Sequence, residues 1–392
     1  MTWKGQTPVD LRMEFMARLK NGERVTELCT EYGISRKTGH KFKKRFEEAG
    51  AAGLFDQSRA PRCIPHKTSP EVEELVVAER LKHPEWGPKK LKDILEKRLG
   101  HGLPSASTLG EILVRRQLIT RRKVRTRYPP RPTVLRSASA PNDVWCVDYK
   151  GQFRLGDGRY CYPLTVTDQF SRYILGCDAM AAIDEDQARE AMTAIFREHG
   201  LPSYMRSDNG APFASSGLAG LTKLSVFWMR LGITPERTRP AHPQDNGRHE
   251  RMHRTLKRET TRPPRTNLLQ QQEVFDSFVL RFNTERPHEA LGMKRPAEVY
   301  APSPRTLPPR VPEPTYPTHD DAVMVNSAGR IWISGRGTLY VSSALVGQLV
   351  GIREEDDGRW LFSFMEIDLG HFETDNNTFR PISFPPPNAP AV

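Results

Sequence analysis

The sequence predicts a multidomain chain: helical N-terminal modules, an α/β core and a small C-terminal β-barrel. Three observations predict it. The chain has 392 residues, too many for one ordinary domain. Helical periodicity with Gly and Ser punctuation fills the first third, and strand and helix patterns alternate through the middle. After a Pro-rich stretch, short strands separated by turn signals close the chain.

Charge divides the chain in the same way. The net charge is +12, yet residues 1–142 hold 30 Lys+Arg against 16 Asp+Glu and the remainder 29 against 31. A basic excess confined to one region points to a polyanionic partner there, the plainer alternative being a solvated basic surface. Five cysteines (Cys29, Cys63, Cys146, Cys161 and Cys177) form no Cys-x-x-Cys pair and read as reduced core thiols. No signal-peptide core and no membrane-length apolar run occurs, so an intracellular, cytoplasmic protein without a membrane partner is expected.

Residues 1–55 read as a helix-turn-helix domain. Apolar positions from Val9 to Leu19 mark a first helix, Val25–Tyr32 a second, and Gly33-Ile34-Ser35 a turn that caps a third from Arg36 to Ala49. In this grammar the last helix enters the major groove by its N-terminal end. Arg36, Lys37 and His40 are therefore candidate base readers, and Lys41 and Lys44 candidate phosphate contacts. The alternative is a basic face on a small bundle.

Residues 70–120 repeat the pattern. Helices over 71–82 and 88–98 precede Pro104-Ser105-Ala106-Ser107, which caps a helix at Thr108–Arg116. This is a second helix-turn-helix candidate with Ser105, Ser107 and Thr108 at its DNA-facing start, or else a structural bundle. Residues 121–142 are a basic linker, with six Lys/Arg before Thr133 suited to a phosphate backbone or to simple solvation.

Residues 143–300 form the α/β core. Strands are expected over 144–153, 160–166 and 173–180, a helix over 184–199, strands at 204–207 and 234–238, a helix over 218–231, and long helices over 246–260 and 268–283. Asp148 lies in an otherwise apolar strand, where a carboxylate is costly unless paired or bound to metal. Asp208 follows a strand end, the usual edge of a ligand crevice in α/β sheets. Glu250 sits on a basic helix, with Arg254 and Lys257 on its face at i+4 and i+7. Asp168 opens a tight turn, a place where Asp serves the backbone. Residues 301–318 read as a Pro-rich spacer, and residues 319–385 as the β-barrel.

The segments VWCVDYKG, LTVTDQFSRYI, MRSDNGAPF, RPAHPQDNGRHERMHRTLKRE and FNTERPHEALGMKRPAEVY, in this order, resemble the retroviral-integrase superfamily and, more closely, bacterial insertion-sequence transposases. YGISRKTGHKF and HPEWGPKKLKDIL resemble the N-terminal helix-turn-helix domains of the same subgroup. The resemblance implies a ribonuclease H-like core and a transposase with Asp148, Asp208 and Glu250 as its catalytic, metal-binding acids. It implies Mg2+ (or Mn2+), two ions about 4 Å apart that activate the attacking oxygen and stabilise the leaving one. It also implies partners: double-stranded DNA, as element ends and target, and further copies of the chain in a homo-oligomer, since two ends must meet. Asn209 and Gly210 would shape the loop after Asp208, and His242 and Asn246 are candidates for phosphate binding or orientation. Forty-one residues separate Asp208 from Glu250, longer than is usual in the family, with the extra length in ASSGLAGLTKL after Phe213.

Three rivals remain open: a DNA-binding regulator with a dead core, a nuclease that cannot join ends, and a zinc peptidase. The last rests on His249-Glu250-Arg251-Met252-His253, which spells His-Glu-x-x-His on one helical face, although within a strongly basic helix.

Overall fold

The structure is a computed structural model that describes residues 7–57, 67–100, 102–120, 135–215, 217–239, 242–333, 337–356, 358–375 and 378–382. Cys63 and most of the basic linker lie outside these residues. The chain divides into two compact units, Met1–Thr68 and Ser69–Val392.

The first unit is three helices: α1 (Pro8–Lys20), α2 (Val25–Glu31) and α3 (Arg36–Ala49). Thr7 and Asp10 form a capping box that starts α1. Ser35 Oγ accepts from Thr38 N–H at 3.2 Å and starts α3, while Gly33 takes the positive φ (+62°) that the turn between α2 and α3 requires. Phe15, Met16, Leu28, Cys29 and Leu54 make the core. Gly39 lets α3 press onto α2: a Cβ there would stand 2.5 Å from Cys29 Sγ.

The second unit opens with α4 (Pro70–Lys82), α5 (Pro88–Leu99) and α6 (Ala106–Arg115), packed around Val76, Trp86, Leu91, Leu95, Leu109 and Leu113. Buried Glu79 is held by a two-pronged bond from Arg98 at 2.8 and 3.1 Å, which compensates its loss of water.

The α/β core follows. Its sheet contains β1 (Val144–Tyr149), β2 (Phe153–Arg154), β3 (Tyr160–Asp168), β4 (Ile174–Met180), β5 (Tyr204–Ser207) and β6 (Thr234–Arg237). The expected strand over 144–153 breaks at Lys150–Gln152, and β2 resumes beside the start of β3. β3 is antiparallel to both β1 and β4, whereas β1, β5 and β6 run parallel. Helices α7 (Glu185–His199) and α8 (Lys223–Arg230) cover one face, burying Trp145, Val147, Leu164 and Val166. Helices α9 (Gly247–Thr260) and α10 (Leu268–Thr284) cover the other, where Cys161 and Cys177 meet Met252, Leu256, Phe275 and Phe278. Alternation along β1 and β3 therefore sends Asp148, Thr165 and Thr167 toward α9. The second helical module is tied to this side of the core through Glu85–Arg258 at 2.8 Å and Lys89–Glu289 at 2.9 Å.

Residues 301–318 pack along the core instead of spanning solvent. Arg305 donates to the carbonyls of Pro202 at 2.7 Å and Gly232 at 2.8 Å, and Leu307 and Val311 join the apolar core. Gly200 permits the approach, since a Cβ there would lie 2.6 Å from Ser303 O.

The C-terminal region does not form the expected barrel. It contains β7 (Asp321–Met324), β8 (Arg330–Ile333), β9 (Gly337–Tyr340), β10 (Leu349–Asp356), β11 (Arg359–Phe364), β12 (Ile367–Glu373) and β13 (Thr378–Pro381). Five of these form an open antiparallel sheet in the order β13-β12-β11-β10-β7, and β8 pairs with β9 as a separate hairpin. The sheet is covered by the core and need not close on itself. Ala219, Leu221, Val226 and Met229 share one cluster with Val350, Ile352, Phe362, Phe364 and Leu369. The expected helix over 218–231 is a short 3-10 turn, Leu218–Gly220, followed by α8. The extra residues between Asp208 and Glu250 thus seat the C-terminal sheet.

Candidate active site

β1 and β5 pair in parallel with Val144 opposite Tyr204 and Cys146 opposite Arg206. Two residues farther along each strand stand Asp148 and Asp208, so strand register brings them together at the same end of the sheet. Asp208 is fixed by its own loop: Gly210 N–H donates to Asp208 Oδ1 at 3.1 Å, and Asn209 Nδ2 donates to Thr238 O at 2.6 Å. Glu250 occupies the first turn of α9 with an exposed side chain.

Asp148 feels the other two acids. Burial pushes the Asp148 carboxyl up to about 7, and the charges of Asp208 and Glu250 push in the same direction while Lys150 opposes them. Carboxylates such as Asp148, Asp208 and Glu250 have the donor chemistry of a hard divalent cation. Among the described residues the group whose potential ligand atoms lie within 4.8 Å of one another is Asp148 with His249 and His253, not the three acids.

Asp168 is apart from this cluster and fully used. Its Oδ1 accepts from Asn142 N–H at 2.8 Å, and its Oδ2 accepts from Ser171 N–H at 2.7 Å and Ser171 Oγ at 2.6 Å. Asn142 in turn accepts from Trp145 Nε1 at 3.1 Å, locking the entry to β1.

His249 and His253 were not expected to matter, and they line the site. Both are buried and turn inward from α9 onto β3. Thr165 Oγ1 lies 2.8 Å from His249 Nε2 and 2.6 Å from His253 Nε2, and Thr167 Oγ1 lies 2.7 Å from His249 Nδ1. Thr165 also donates to Asp148 O at 3.0 Å. Burial holds the His249 imidazole down at about 3 and that of His253 lower still, so both rings are neutral. With both nitrogens of His249 engaged by threonines and Glu250 exposed, the His-Glu-x-x-His spelling does not assemble as a zinc-peptidase site. The available signal was the alternation of Thr165 and Thr167 in β3 against the i, i+4 histidines of α9.

A buried Arg206 braces the same region. It pairs with Glu236 at 2.6 Å, donates to Asp245 O at 3.4 Å, and bonds Arg136 O. One guanidinium therefore joins the strand leading to Asp208, the turn leading to Glu250 and the end of the linker. Asp245 is itself held by Arg239 at 2.7 Å. Asn246 is buried, with its Oδ1 unbonded.

The remaining candidates lie on surfaces. Arg36, Lys37, His40, Lys41 and Lys44 are exposed along one side of α3, with Lys44 3.8 Å from Glu48. Ser105, Ser107 and Thr108 are exposed at the start of α6, where Ser105 Oγ is occupied in capping the Thr108 N–H at 3.2 Å. Arg254 and Lys257 are exposed on α9.

Two family models described as integrase core domain match residues 138–243 and 231–296, and together they span all three acids. These matches fall on the α/β core described above. Models described as a helix-turn-helix domain and a homeodomain-like domain match residues 11–62 and 38–113 ahead of it. The chain is 28% identical over 172 residues to the transposase for insertion sequence element IS904 of Lactococcus lactis, covering 41% of this chain and 62% of that protein. It is 26% identical to an uncharacterized 31.7 kDa protein of insertion element IS407 from Burkholderia multivorans, over 41% of this chain and 56% of that one. A Gag-Pol polyprotein of baboon endogenous virus is 30% identical over 45% of this chain but only 10% of its own length. The chain thus spans less than two thirds of the relatives it matches. Among solved structures, the magnesium complex of the HTLV-2 integrase catalytic core domain aligns with 42% of this chain and 100% of its own, at 15% identity and a TM-score of 0.34. No helix among the described residues is long and apolar enough to cross a membrane.

Proposed function

We propose that this chain is a transposase. In this reading it binds the terminal inverted repeats of an insertion sequence, cleaves DNA at the element ends and transfers those ends into target DNA. The observation that carries the proposal is the convergence of Asp148 and Asp208 through strand register, with Glu250 close enough to raise the Asp148 carboxyl further. The matched integrase core and helix-turn-helix models support it.

Asp148, Asp208 and Glu250 would hold divalent metal, Mg2+ or Mn2+, as two ions. Bound there, such ions polarise phosphate oxygens and stabilise both attacking and leaving oxygens in an in-line displacement. The chain's own work is positional. Arg206 and the Gly210 amide fix the approach of Asp208, and the Thr165–histidine contacts fix α9 and hence Glu250. Arg254 and Lys257 would steady the DNA end beside the acids, with Arg36, Lys37, His40, Lys41 and Lys44 of α3 and Ser105, Ser107 and Thr108 of α6 reading or gripping the repeats. The nucleophile is water for cleavage and a DNA 3′-hydroxyl for joining, so no covalent protein–DNA bond is needed. A homo-oligomer on DNA would bring two ends together.

The test is a cleavage and joining assay on the element's own ends. Asp148→Asn should abolish metal-dependent cleavage, a loss of at least about a thousandfold, while binding of the repeats survives. Normal cleavage by this variant overturns the assignment of the acid. Cleavage by the parent chain without joining of pre-cut ends would instead identify a nuclease.

A further inference from the structure

The hydrogen bonds around Thr165 fix the protons of both buried histidines. The Thr165 hydroxyl has one hydrogen, and its contact with Asp148 O uses it, because a carbonyl can only accept. The 2.8 and 2.6 Å contacts to His249 Nε2 and His253 Nε2 must then be donated by the imidazoles. Each ring therefore carries a proton on Nε2, which leaves the lone pair of Nδ1 to accept a hydrogen bond or bind an ion. In His249 that lone pair accepts from Thr167 Oγ1 at 2.7 Å. In His253 it faces Asp148 Oδ2 at 3.7 Å. A carboxyl oxygen and an imidazole nitrogen, both able to ligate an ion, thus face each other on a histidine that is only 5% exposed.

We infer that Asp148 and His253 form a mixed oxygen–nitrogen site for a softer divalent ion of the Zn2+ or Co2+ class, distinct from the all-carboxylate set. Asp148, His249 and His253 offer ligand atoms within 4.8 Å of one another, but His249 is committed to its threonines. A neutral imidazole nitrogen suits Zn2+ and related ions, whereas Mg2+ takes oxygen. Spacing points the same way. Neighbouring ligands of a tetrahedral ion with bonds of ~2.05 Å stand about 3.3 Å apart, and those of octahedral Mg2+ about 3.0 Å. The 3.7 Å pair lies nearer the tetrahedral separation and reaches it with a few tenths of an ångström of side-chain movement. The remaining positions would take water or a second carboxylate oxygen. An ion held there draws Asp148 away from the Mg2+ set, so Zn2+ should inhibit the reaction proposed above, a consequence that rests on that reading while the binding itself does not.

The test uses the full chain with one equivalent of Zn2+ in magnesium-containing buffer. X-ray absorption at the zinc edge should show a single imidazole nitrogen among oxygen ligands. Any other nitrogen count, or sulfur, overturns the site. In calorimetric titration His253→Gln should weaken Zn2+ binding about tenfold to a hundredfold, and undiminished affinity overturns it equally. The absorption experiment uses unaltered protein, so the site stays testable even where the variant fails to fold. Zinc bound as described by a chain that never cuts DNA would uphold this site and sink the transposase reading. Cleavage without such binding would do the reverse.

Discussion

A carboxyl raised to about 7 has a thermodynamic signature that can be read without DNA. The unfolded Asp148 gives up its proton near 3.8, so between these two values the unfolded chain holds fewer protons than the folded one. Stability contributed by the neutral form is present below about 3.8 and falls as pH rises through 7. Asp148→Asn removes that loss. At pH 8 without divalent metal the variant should melt higher than the parent, by an equivalent of about 1–3 kcal/mol, and the advantage should vanish near pH 4. Equal melting temperatures at both pH values would contradict the burial and crowding described for this acid. The two aspartates were legible in the sequence because one interrupts an apolar strand and the other follows a strand end. The contact of Asp148 with His253 was not, because it depends on which face of α9 meets β3, and the same letters spell a familiar zinc motif.

Elements show where local rules were enough and where they were not. Ser35, Gly33 and the charge pattern of α3 declared the helix-turn-helix hairpin, and the helices form within a residue or two of their expected ends. The close approach of α3 to α2 can be tested at Gly39. Gly39→Ala should lower the stability of the first unit by about 1–3 kcal/mol, seen in its thermal melt, because the new methyl meets Cys29 Sγ at 2.5 Å. Short strands separated by turn signals were legible in the C-terminal region, where β13 carries Pro381, a residue suited to an edge strand. Their closure into a barrel was not determined locally. Short alternating strands need a cover for one face, and nothing in residues 319–385 shows that the cover comes from residues 218–229. Leu221→Ala, at a site only 3% exposed, should cost about 2–4 kcal/mol. Chemical denaturation should record that loss in the transition of the second unit, and a variant as stable as the parent would remove Leu221 from the joint.

At the scale of the whole molecule, the separation into residues 1–68 and 69–392 makes the first unit removable. A chain starting at Ser69 should keep the melting transition of the second unit and lose the other. Its binding to DNA should weaken and show a shallower dependence on salt, by about one unit of slope for each phosphate that α3 no longer neutralises. An unchanged salt slope would place the DNA-binding surface of the chain elsewhere. The uneven charge of the sequence does not mark this division, because the basic excess runs on to residue 142. The docking of α4–α6 on the core was not visible in the sequence either, because its ion pairs join residues about 170 to 200 positions apart.

The extra residues after Phe213 have a consequence for how such chains can be recombined. They lie between the second and third acids of the core, yet their apolar side chains are spent on the far sheet. A core transplanted without its C-terminal sheet would expose Ala219, Leu221, Val226 and Met229 as a greasy scar, and the sheet alone would lose its lid. The two pieces should therefore be inherited, expressed and engineered as a matched pair. An unusual gap between the Asp208 and Glu250 segments then serves as a tag for an appended domain that has grown into its neighbour.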